Sequence, residues 1–86
     1  MSIELYQRVA LTRDVPEQNL QKGDIATVVE NLPATKKSKG EPGYALEVFN
    51  VLGETTAVVF VPASAVRSLR ADEMPHVRSL AKAVSE

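Results

Sequence analysis

Short runs of β-branched and aromatic residues, each soon cut off by a glycine or a proline, limit this chain to a small strand-built fold. Ile25 to Leu32 is the plainest such run. Pro33 stops it, because proline has no N–H to give to a ladder. Lys22-Gly23-Asp24 ahead of it reads as a turn, with Gly23 at positive φ and Asp24 bonding the nearby backbone. Tyr44 to Asn50 forms another strand, with Tyr44, Leu46 and Val48 on one face and Phe49 on the other. Val51-Leu52-Gly53-Glu54 makes a tight connection in which Gly53 supplies the left-handed residue. Thr55 to Val61 follows as a strand that Pro62 closes. Its unbroken run Ala57-Val58-Val59-Phe60-Val61 predicts burial on both faces, or a cover supplied by the tail.

The flanking segments complete the pattern. Residues 6–12 alternate as a first strand with Val9 and Leu11 inward, and Arg13 to Gly23 is a polar loop that Leu20 tacks down. Ala63-Ser64-Ala65 fits one helical turn, and Val66 to Leu69 fits a closing strand. Residues 33–43 hold two of the four glycines and two of the five prolines, and read as a mobile basic loop. Over 72–84 the period changes to helical. Met74, Val77, Leu80, Ala81 and Val84 then share one apolar stripe, with Asp72 as N-cap and Pro75 in the first turn. So short a helix is marginal in water and needs something to dock on. With no internal repeats, the chain divides into residues 1–71 and a helical tail, 72–86.

Five short strands, a long first loop and a one-turn helix before the last strand are the order of a Src-homology-3-like (SH3-like) barrel. The expected fold is therefore all-β: a small five-stranded SH3-like barrel with a short C-terminal α-helix. Phe60-Val61-Pro62-Ala63-Ser64-Ala65-Val66 resembles the end of a peptide-binding SH3 domain, where Pro, small polar residues, an aromatic and Val follow a strand. A closer similarity covers roughly residues 5–70. Leu5 to Leu11, Asp14-Val15-Pro16, Leu20, Lys22 to Glu30, Tyr44 to Phe49 and Gly53 to Leu69 resemble a family of small bacterial proteins, frequent in cyanobacteria. That family carries the domain of unknown function numbered 4926, and usually has glycine where Ala26 stands here. The resemblance brings no assigned activity. Some members are encoded beside small predicted toxins, which implies an antitoxin or immunity role by association. A fainter likeness of Gly23 to Val29 to the nitrile hydratase β subunit implies shared fold alone.

The 86 residues suffice for one domain, and 44% apolar with 24% charged residues is ordinary for a globular chain. Ten Lys and Arg against eleven Asp and Glu leave a net charge of −1, without the basic excess that phosphate neutralisation asks for. With no cysteine there is no disulfide, thiolate nucleophile or cysteine-based zinc site, which fits the cytoplasm. Met1 to Leu5 does not read as a signal peptide, and the apolar run Ala57 to Ala63 is too short to span a bilayer.

Catalytic candidates are poor. His76 is the only histidine and stands in the tail between Pro75 and Val77, and Asp14 with Glu17 reads as a solvated turn. Gly40 and Gly43 flank Glu41-Pro42 and open no helix that would cradle phosphate. The expectation is a non-enzyme with no catalytic residue, no metal ligand, no cofactor and no small-molecule substrate. Polyproline recognition is disfavoured, because the chain has no Trp and Ala65 stands where a groove aromatic belongs. Lys36, Lys37 and Lys39 form a basic loop, and Arg67 and Arg70 lie near the closing strand. Without interleaved aromatics this reads as a solubilising loop, with weak nucleic-acid binding through Lys36, Lys37 and Lys39 as a disfavoured alternative. That leaves the stripe Met74, Val77, Leu80, Ala81 and Val84 as the candidate contact for a protein partner, a second copy or another chain, or as cover for this chain's own sheet.

Overall fold

The computed structural model describes residues 3–36 and 39–80. Five strands follow in order: β1 (Arg8–Leu11), β2 (Ile25–Leu32), β3 (Gly43–Phe49), β4 (Thr55–Pro62) and β5 (Val66–Ser68). They form one antiparallel sheet in the order β4-β3-β2-β1-β5. Single 3-10 turns, Pro16–Gln18 and Ala63–Ala65, lie in the first loop and ahead of β5.

Alternation explains which face is buried. Val9 and Leu11 of β1, Ala26 and Val28 of β2, Leu46 and Val48 of β3, and Val59 and Val61 of β4 all enter one apolar cluster. Val15 and Leu20 from the first loop and Ala65 and Val66 from the last connection close it, and Tyr44 packs at its margin. Bulges between Val28 and Glu30 and between Val48 and Phe49 sharpen the bend of the strands.

The sheet is all-β as expected but does not close into a barrel. β4 pairs with β3, β5 pairs with β1, and the two edges are not bonded to each other. Laid flat, this order would hold the edges about 19 Å apart at about 4.8 Å per strand step. The Ala63–Ala65 turn joins Pro62 to Val66 over at most about 15 Å of chain, so the sheet coils until its edges approach at that end. Pro62 has no N–H and β5 is three residues long, which leaves the coil open.

Three further expectations are corrected. Residues 72–80 form no helix, running from a turn at 71–72 into chain without regular secondary structure; Ala81 and Val84 lie outside the described residues. The apolar run of β4 is buried on one face only, with Val59 and Val61 inside and Val58 and Phe60 in solvent. The loop at 33–43 is pinned at its far end. Glu41 Oε2 accepts the Ser64 N–H at 2.8 Å, the Pro42 carbonyl accepts the Ala63 N–H at 2.9 Å, and Gly43 already belongs to β3.

Candidate interaction surface

The first loop is shaped by its own backbone. Asn19, at φ 60°, ends the 3-10 turn, and the Val15–Leu20 bridge folds Leu20 into the core. At the following turn, Gly23 takes φ 92° and the Asp24 carboxylate accepts the Gln21 N–H at 2.8 Å. This fixes a carboxylate beside a free backbone carbonyl of Asn19. The tail comes to meet both. Arg78 donates from Nε to Asp24 Oδ1 at 2.9 Å and from Nη2 to Asp24 Oδ2 at 2.6 Å, and Nη2 also reaches the Asn19 carbonyl at 3.2 Å.

Both side chains of this pair are largely screened from water, at 25% and 20% exposure. Partial burial raises the Asp24 pKa, but the hydrogen bonds from Arg78 and Gln21 and the Arg78 charge outweigh it and hold the carboxyl below its ordinary value. Arg78 is raised in turn, chiefly by its hydrogen bond to Asp24. Two shallow clefts flank the clasp. One, of about 250 Å³, is bordered by Asp14, Gln21 and Arg78; the other, of about 190 Å³, is lined by Leu20, Val48, Ala57 and Leu80.

Earlier in the tail a second ion pair turns the chain. Glu73 accepts Arg67 Nη2 at 2.6 Å and the Arg70 N–H at 2.7 Å, and Asp72 accepts Arg70 Nε at 3.1 Å. The Arg67 hydrogen bond, then the Arg70 N–H, lower the Glu73 pKa to about 2.

The free edge of β4 is the other exposed surface. From Thr55 to Val61 it carries no charge, and Val58 and Phe60 are 54% and 63% exposed.

The residues predicted to form a stripe do not form one. Met74 and Val77 are exposed, Leu80 is half in its cleft, and Ala81 and Val84 fall outside the described residues. Lys36 and Lys39 are exposed on a turn closed by the Lys39 N–H to the Lys36 carbonyl at 3.1 Å; Lys37 lies outside the described residues. Arg67 and Arg70 are engaged by acids and do not join that loop's charge. His76 is exposed, and Asp14 accepts the Lys22 N–H at 2.9 Å as a loop brace. Ala65 is wholly buried in the core.

Sequence reading missed the Asp24–Arg78 clasp, which joins residues 54 apart. One signal was present: in a helical register Arg78 has Met74 and Lys82 four residues away, so it has no acid to pair with locally.

Among the described residues, no three His, Cys, Asp or Glu side chains gather as a metal site, and no helix is long and apolar enough to cross a membrane. No curated protein and no solved structure matches the chain. The model of the family described as Domain of unknown function (DUF4926) matches residues 5–68, a span that runs from just before β1 to the end of β5, and the chain belongs to that family.

Proposed function

We propose that this chain is a non-catalytic protein-interaction module, an adaptor or small subunit of the cytoplasm, which takes a strand from another polypeptide along β4. The observation that carries the reading is the bare edge of that strand. Sheet edges are ordinarily blunted by shortness, by charge, by proline or by a bulge. β5 obeys: it is three residues long and holds Arg67. β4 is eight residues long and uncharged from Thr55 to Val61, with its bulge at one end and Pro62 at the other. Among the described residues no strand pairs with the outer side of Ala57 to Val61, and its backbone lies beside exposed Val58 and Phe60, which suits strand addition.

A second copy is the simplest partner, because two uncharged edges meet without like charges opposed. An antitoxin holding its toxin would use the same edge. The strand order and the 3-10 turn before β5 support placing the fold among SH3-like sheets. Buried Ala65 leaves no groove aromatic, which weighs against polyproline ligands. Neutralised Arg67 and Arg70 weigh against nucleic acid.

The test is mass in solution, together with recovery of partners from the native host. Wild type should exceed monomer mass or retain a protein, and Val58→Lys/Phe60→Lys should be monomeric and empty with its melting temperature kept within a few degrees. A wild type that stays monomeric at all concentrations and retains nothing would remove the reading.

A further inference from the structure

We infer that the cleft around Asp24 is a docking site for an extended segment carrying arginine followed two residues later by a large aliphatic side chain, and that the chain's own tail occludes it. Its anchor, Asp24 with the Asn19 carbonyl, lies outside β4, so it is tested separately from the edge-strand reading although Ala57 of β4 borders the cleft. The receiving half is preorganised. Both Asp24 oxygens face the guanidinium, the Gln21 N–H holds the carboxylate in place, and the Asn19 carbonyl adds a third acceptor. Such a fork-to-carboxylate arrangement selects arginine over lysine by geometry. Beyond it, Leu20, Val48 and Ala57 line a cleft against which half-covered Leu80 lies.

The tail reads as a ligand rather than as a fold element. Residues 74–80 add no strand or helix, and two of their side chains engage the body. Arg78 and, by about half, Leu80 meet the body, while Met74, His76, Val77 and Ser79 are exposed. Among the described residues few apolar contacts hold the strap, since Met74 and Val77 are exposed and Leu80 is only half covered. A segment held this lightly opens readily. With Arg78 lifted away, the charged side chains left at the cleft are Asp14 and Asp24, so the vacant site is acidic.

The probe is a fluorescent, end-blocked heptapeptide of residues 74–80, titrated against full-length wild type, Arg78→Ala and Arg78→Ala/Asp24→Asn. The variant with the strap released should bind at least tenfold more tightly than wild type, and adding Asp24→Asn should abolish the gain. Replacing the peptide's arginine by citrulline should also abolish binding, with amide shifts on binding confined to residues around Asn19–Asp24. If Arg78→Ala fails to fold, Leu80→Ala loosens the strap with the ion pair intact and serves the same comparison. A folded, strap-released variant that binds no better than wild type, or binds regardless of Asp24, would overturn the inference. Loss of β4 association in Val58→Lys/Phe60→Lys leaves this readout unchanged.

Discussion

Gly43 faces Pro62 in the β3–β4 ladder, and a Cβ on it would stand 2.5 Å from the Val61 carbonyl oxygen. The obstacle is backbone, which cannot swing aside as a side chain does, so the strands would have to part. Gly43→Ala is therefore expected to cost about 1–3 kcal/mol, seen as a lower urea midpoint with an unchanged slope. In the sequence Gly43 looked like one more loop glycine, since close approach leaves no local mark. Gly53 was legible for the opposite reason. Its φ of 86° in open space is a demand of the turn itself, and a four-residue motif announces it. Leu46 lies fully buried at the middle of the sheet. Leu46→Ala should remove about 2–5 kcal/mol, the largest loss of any single truncation in β3, measured by the same denaturation.

Strands declared themselves and the tail did not. β2 runs over the predicted residues because β-branched side chains, a leading turn and a closing proline all agree there. The tail's apolar spacing suited a helix, but its short length left that helix weak, and the Arg67–Glu73 and Asp24–Arg78 pairs tie the chain to the body instead. Such pairing is set by the fold and has no signature in a local window. β4 misled in a related way. An apolar run looks the same on an edge as in the middle of a sheet, and only the strand order distinguishes the two. The tail's ion pairs predict acid sensitivity. Glu73 titrates at about 2 in the fold against an ordinary 4.5, so the native state favours the carboxylate. Its contribution is complete above about pH 4.5 and is lost as pH falls toward 2; Asp24, also lowered, acts in the same sense. Melting temperatures between pH 6 and pH 2 should fall less steeply in Glu73→Gln than in wild type.

At the scale of the molecule, a coiled sheet with two unlike edges should have graded stability. Val9, Val28 and Leu46 lie on strands paired on both sides and fully inside the core, so their amides should exchange only through global unfolding. Outward amides of β4 should exchange far sooner in dilute solution and become protected as concentration rises, if a second copy seats there. Hydrogen exchange at two concentrations reads both effects. A bare apolar margin also ties solubility to supply. When the chain is made faster than whatever seats along Ala57 to Val61, the surplus molecules present one another with matching templates, and the expected fate is fibrous precipitate rather than idle monomer. Balanced production with its companion would then matter as much to this protein as its own fold.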